Sequence, residues 1–235
     1  VVLTGTLVNG LAIILGTTIG LFFTNIPDRF KETILKGIGI SIIIIGLQMA
    51  LQVNHVVILL LSIIVGAVIG EMLKIEHYLN KLGEWVGTFI STNKSDSRIS
   101  QGFITATLIF VVGAMAIVGA LDGGLRGDHQ VLFTKSILDG FTAMVLATTL
   151  GFGVMLSVIP VVIYQGSIAL LATTIQRIIP DAFLEVFITE MTAVGGVLIV
   201  AIGLKMLDII QIRLANLLPS LVVVGCLLAI YQQFS

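Results

Sequence analysis

A few polar side chains stand alone inside long apolar runs of this sequence, and their spacing recurs. Asn9-Gly10 is followed by Thr17-Thr18, Asp139-Gly140 by Thr148-Thr149, and Gln165-Gly166 by Thr173-Thr174. Each group sets an amide or a carboxylate beside a glycine, with two hydroxyls about two helical turns further on. Glycine lets a backbone or a ligand approach closely; a threonine hydroxyl bonds either its own helix or a substrate. Glu190 stands apart from this pattern, in "ITEMTAVGG", beside a glycine pair. Amides, carboxylates and hydroxyls in an apolar setting bind a small solute, a cation or a proton. Asn9, Asp139, Gln165, Glu190, Thr17, Thr18, Thr173 and Thr174 are therefore the candidate substrate- or ion-binding residues.

Each has a plainer reading. The threonines fit helix–helix packing through small and polar residues. Lys135 lies one turn before Asp139, which makes an ion pair within one helix near an interface. Glu190 reads either as an interface-depth residue on a long helix or as the mark of a local unwinding. Catalytic patterns are missing: there is no Ser-His-Asp, HExxH or paired-acid arrangement. "GGLRGD" (123–128) lacks the Lys-Ser/Thr ending of a phosphate loop. His55, His77 and His129 are far apart and suggest no metal centre. The expectation is a protein that is not an enzyme and uses no metal and no cofactor.

The elements that must position these groups are membrane helices. Of 235 residues, 57% are hydrophobic and only 11% charged, and the mean hydropathy is +1.15. A soluble domain carries about 25% charged residues, so this chain lacks the charge to cover a water-facing surface. A net charge of −1 gives no footing for a nucleic-acid partner. The lone Cys226 excludes an intramolecular disulfide and reads as a small buried hydrophobe. With no basic segment before it, the first apolar stretch reads as a retained helix rather than a cleaved signal.

A span needs about 20 mostly apolar residues. That ruler predicts an all-α polytopic bundle of about eight spans. They run over 2–23, from near Pro27 to 52, 55–73, 101–121, 131–156, 158–178, from after Pro180 to 207, and 214–234. The fourth is so rich in small residues that it could be broken or re-entrant, giving seven. Apolar residues at helical spacing over 75–91, with Trp85 among them, predict an amphipathic helix lying in the interface; "STNKSDSRIS" follows as a polar linker. Nine Lys and Arg residues fall on one side of this topology and three on the other. By the positive-inside rule the first side is cytoplasmic and both ends of the chain are extracytoplasmic.

A repeat links the two ends of the chain. "IPDRFKE" (26–32) returns as "IPDAFLE" 153 residues later, and "GISIIIIGLQM" (39–49) as "GVLIVAIGLKM" 157 residues later. "GLAIILGTTI" (10–19) resembles "GSIALLATTI" 156 residues on. Spans 1–3 thus resemble spans 6–8. An odd number of spans separates the copies' starting points, so the repeat is inverted. The chain reads as one membrane domain: copy one over 1–73, interfacial helix and linker over 74–100, two spans over 101–157, and copy two over 158–235. The second copy carries four extra residues near Glu190. Each proline phrase starts a helix, since proline in the first turn forfeits no hydrogen bond and the following acids suit the positive helix N-terminus.

"GTLVNGLAIILG", "GAMAIVGALDGGLRGD", "KSILDG", "IYQG" and "IGLKMLDI" together resemble the bacterial membrane-protein family of unknown function numbered 554, the YqgA/YdfK-like proteins. The resemblance covers essentially the whole chain. It implies a multi-pass protein of the bacterial inner membrane and of the transporter kind, and supplies neither a substrate nor functional residues. Inverted repeats are a recurrent plan of secondary transporters. The expected function is secondary transport of a small or ionic solute by alternating access, with the carboxylates binding a cation or proton. A channel with the same lining, or a non-transporting membrane partner or sensor, are the alternatives. The expected partners are the lipid bilayer and a small solute or ion, with a homo-oligomer left open.

Overall fold

The computed structural model describes residues 1–22, 28–78, 81, 97–111 and 114–233. Among them the chain is helical, with no strand. The helices are α1 (Thr4–Phe22), α2 (Asp28–Ala50), α3 (Val56–Leu73), α4 (Ser97–Val111), α5 (Ala114–Leu125), α6 (Gln130–Leu150), the one-turn α7 (Gly153–Leu156), α8 (Val158–Ile178), α9 (Asp181–Met206), and α10 (Ser220–Gln233). A 3-10 turn, Leu214–Leu217, precedes α10. Six segments, the 3-10 turn counted with α10, are long and apolar enough to cross a membrane, or seven if α4 and α5 count as one bent span. The axes of 99–111 and 115–125 differ by 59°, and residues 112–113 lie outside the described residues. The apolar part of α2, Lys36–Ala50, is shorter than a full span. Of the predicted interfacial helix, 75–78 and 81 are helical; the rest of it, Trp85 included, lies outside the described residues, as does Pro27.

Two compact units make up the chain, and their boundary does not follow the two copies of the predicted repeat. Unit one holds 1–34 and 82–181; unit two holds 35–81 and 182–235. Each unit is built from two separate stretches of the sequence.

In unit one, α1 and α6 run parallel. Gly5 lies opposite Leu132, Gly16 opposite Gly140, and Gly20 opposite Met144. A Cβ on Gly16 would occupy the place of the Gly140 carbonyl oxygen. The buried face of α1 is therefore Gly5, Thr6, Asn9, Gly10, Ile13, Gly16, Thr17 and Gly20, a 3–4 residue spacing that makes one helical stripe. Leu7, Leu11 and Leu15 project from the other side, as suits lipid. α6 ends at Leu150, six residues earlier than the hydropathy predicted. Gly151 turns the chain with φ +68°, a conformation in which a side chain would be strained, and α7 then leads into α8.

In unit two, α2 and α9 run antiparallel on glycine contacts. Gly39 meets Gly203, and Gly46 meets Gly196 and Val200. α3 lies against the 3-10 turn and α10, with Gly66 at Ser220 and Gly70 at Asn216. α9 starts directly after Pro180 and continues unbroken through Glu190, so no unwinding occurs there. It is the most buried of the long helices. Cys226, expected to be buried, is exposed on α10.

Candidate functional site

The polar centre of unit one lies where α1, α6 and α8 meet. Asp139 is the tenth residue of α6, about 14 Å along its axis at 1.5 Å per residue. That places it near the middle of the helix rather than at an end. Lys135 Nζ lies 2.9 Å from both carboxylate oxygens of Asp139. Asn9 Nδ2 donates to Asp139 Oδ2 at 3.0 Å and to Gln165 Oε1 at 3.3 Å. Asn9 and Gln165 are fully buried, and Asp139 and Lys135 are 5% and 6% exposed. The sequence reading named Asn9, Asp139 and Gln165; the structure brings all three together and adds Lys135, whose i, i+4 spacing to Asp139 was visible.

The direction of these bonds is fixed by the carboxylate. Asp139 accepts only, so Asn9 turns its amide nitrogen toward it, and the second hydrogen of that nitrogen serves Gln165 Oε1. Two atoms are left without a partner in the described structure: Asn9 Oδ1, an acceptor, and Gln165 Nε2, a donor. Buried polar groups are rarely left so. The centre is thus net neutral and holds one spare acceptor and one spare donor.

The threonines divide by helical phase. From Asn9, eight residues turn the helix by about 80° beyond two full turns and nine residues by about 180°. Thr17 accordingly stays on the buried face, with its hydroxyl unpartnered. The Thr18 hydroxyl bonds the Ile14 carbonyl of its own helix at 2.7 Å. Thr173 and Thr174 are exposed on α8 and are not gathered with Gln165. Thr148 and Thr149 bond backbone carbonyls within α6.

Glu190 belongs to unit two and has its own partners. Its Oε1 accepts from the backbone N–H groups of Asn54 and His55 at 2.9 and 2.8 Å, and lies 3.0 Å from His55 Nδ1. These amides precede the first turn of α3, where a carboxylate satisfies otherwise orphaned donors and the helix dipole. Glu190 therefore pins the turn between α2 and α3. Its Oε2 is buried and unpartnered, and the His55 ring lies 5.2 Å from that of Tyr231.

A second polar cluster in unit two escaped the sequence reading, which used its charges only for topology. Glu76 Oε2 accepts from Ala215 N, and Asn216 Oδ1 accepts from Glu76 N, both at 2.8 Å. Lys205 lies 3.7 Å from Glu76, and Arg213 bonds Glu71 at 2.9 Å. An open cavity of about 440 Å³ lies here, lined by Glu71, Lys74, Glu76, His77, Arg213 and Asn216. No group of three or more His, Cys, Asp or Glu arranged to hold a metal occurs among the described residues.

Comparison with known proteins gives a family and no activity. Residues 4–229 match the family described as Protein of unknown function (DUF554). The chain is 32% identical over 235 residues to the Uncharacterized membrane protein YdfK of Bacillus subtilis (strain 168), covering 98% of this chain and 97% of that one. It is 29% identical over 221 residues to the Uncharacterized protein YqgA of Escherichia coli (strain K12), covering 92% of each. No solved structure matches.

Proposed function

The chain belongs to the DUF554 family, and we propose that this membrane protein is a secondary transporter of a small or ionic solute, centred on Asn9, Lys135, Asp139 and Gln165. The observation that carries this reading is the buried ion pair in mid-helix, bonded to the Asn9 amide, which in turn bonds Gln165; the two amides keep a spare acceptor and a spare donor. An ionised group at bilayer depth is costly, and such groups concentrate on ion and substrate pathways. No catalytic role is proposed for the chain.

An inverted repeat working by alternating access is part of the same reading. Gly39 corresponds to Gly196 and Gly46 to Gly203 at the 157-residue offset. The contacts cross over, Gly39 to Gly203 and Gly46 to Gly196. A two-fold axis gives this reciprocity between equivalent elements. Asn9 and Gln165 correspond at the 156-residue offset and hydrogen-bond each other, as residues on such an axis would. With Lys135 buried inside α6, nine basic residues remain on one side of the predicted topology and two, Arg126 and Arg177, on the other, which supports the bacterial inner membrane with both ends of the chain extracytoplasmic.

Reconstitution into proteoliposomes tests the proposal. The expected result is saturable uptake of a solute that follows an imposed ion or solute gradient and is lost in Asn9→Leu. Flux that never saturates would replace the transporter with a pore. If folded protein moves nothing across a broad panel of ions, amino acids, sugars and organic acids, the transport reading fails.

A further inference from the structure

We propose that the centre formed by Asn9, Lys135, Asp139 and Gln165 is built for a small zwitterion, a solute joining an ammonium-type donor to a carboxylate-type acceptor, as a free amino acid does. The inference deepens the transport reading and rests on it for the solute's passage, though not for its binding.

Charge balance comes first. Lys135 and Asp139 cancel, and the helices around them add no charge at that level. α1 carries no ionisable residue, and α8 has Tyr164 beside Gln165 and Arg177 only in its last turn. Asp122, near the end of α5, lies 3.8 Å from Arg126, and His129 stands just before α6. A ligand with one net charge would leave that charge uncompensated among buried groups, which a low-dielectric interior penalises heavily. A zwitterion enters without changing the balance.

The inventory of bonds points the same way. The ammonium of such a ligand meets the Asp139 carboxylate and Asn9 Oδ1; its carboxylate meets the Lys135 ammonium and Gln165 Nε2. Both orphaned atoms are then used, each by the end of the ligand with opposite polarity. In the free protein, Lys135 and Asp139 stand in for the two ends of the ligand by binding each other. An uncharged amide would satisfy the spare atoms and leave the ion pair untouched, which separates it from a zwitterion experimentally.

The test is thermal unfolding of the purified full chain in detergent with glycine as the zwitterion and methylamine, acetate and acetamide as small probes carrying only its cationic, anionic or uncharged polar chemistry. Glycine is expected to raise the midpoint with a saturating dose dependence, as binding to the native state requires, while the other three at equal concentration do not. Asn9→Leu and Gln165→Leu are expected to weaken glycine binding by about tenfold or more, the loss of one hydrogen-bond partner in a polar site. Thr18→Val keeps the full response. Equal stabilisation by methylamine, acetate or acetamide overturns the proposal. So does no response to glycine, or a glycine response equal in all variants, which marks a general co-solvent effect. Glycine binding without uptake sinks transport and keeps the zwitterion site; saturable uptake of a singly charged solute that requires Asn9 keeps transport and sinks the zwitterion.

Discussion

Lys135 and Asp139 lie 2.9 Å apart within a single helix, both buried, near its midpoint. Two buried charges in one turn are costly to desolvate, and their mutual attraction offsets this only while both are present. Asp139→Asn leaves the ammonium uncompensated. The expected loss is about 3–5 kcal/mol of stability, whereas Lys135→Met combined with Asp139→Leu restores it to within about 1 kcal/mol or better. Thermal or denaturant unfolding of the three proteins measures this. The double variant is expected to be folded and inactive in uptake. A double variant that transports normally removes the pair from the mechanism.

The glycine contacts of unit two make a different prediction. A Cβ on Gly46 would lie 2.7 Å from Val200 N and 2.8 Å from Gly196 O. Neither backbone atom can rotate away, so α2 and α9 must separate. Gly46→Ala and Gly196→Ala are each expected to cost about 1–3 kcal/mol, the usual scale of overpacking. Gly37, on the same helix, has nothing within 4 Å of its Cβ position, so Gly37→Ala is expected to be neutral or to stabilise by up to about 1 kcal/mol through helix propensity. Parallel unfolding curves compare the three; equal effects at Gly46 and Gly37 would contradict the close approach.

How far the sequence anticipated this architecture follows from what each signal encodes. α3 and α8 agree with their predicted spans because an apolar run of bilayer length defines its own ends. The end of α6 was not legible: Gly151 lies within an apolar run, and only its positive φ stops the helix. Asn9, Asp139 and Gln165 were legible because a polar group in an apolar run needs a reason. Their meeting was not, since it depends on the parallel packing of α1 on α6 through Gly16 and Gly140, which neither helix specifies alone. Thr173 and Thr174 were drawn in by a recurring spacing, yet both are exposed on α8, although Thr173 has the same eight-residue offset from Gln165 that Thr17 has from Asn9. Glu190 was singled out in the sequence, but its partners were not legible there, because its donors come from residues more than 130 positions away.

Those donors define the next prediction. Glu190→Ala leaves the Asn54 and His55 amides and His55 Nδ1 without their carboxylate, at an expected cost of about 1–3 kcal/mol for the orphaned groups. Glu190→Gln keeps a carbonyl oxygen for the amides and is expected to lose about 1 kcal/mol or less. Hydrogen exchange localises the effect: amides of the turn before α3 and of its first residues are expected to lose protection in Glu190→Ala while those of α1 do not. Uniform loss of protection across the chain would instead make Glu190 a determinant of global stability.

Thr17 separates packing from binding. Its hydroxyl is buried and has no partner in the described structure, so a folding role gives that oxygen nothing to do. Thr17→Val keeps the shape and removes the group. If the hydroxyl is only an unmet polar atom, the variant is expected to be more stable by about 1 kcal/mol, since burying an unpaired polar group costs roughly 1–3 kcal/mol, with uptake unchanged. If a solute or a water bound during transport uses it, stability still rises while the apparent affinity for the solute falls several-fold. Thr18→Val is the matched control. That hydroxyl already bonds the Ile14 carbonyl on the face turned away from Asn9, so neither stability nor uptake is expected to move appreciably. Measuring midpoint and uptake on the same preparations decides between the two outcomes. A loss of stability in Thr17→Val would show instead that the hydroxyl makes a structural bond.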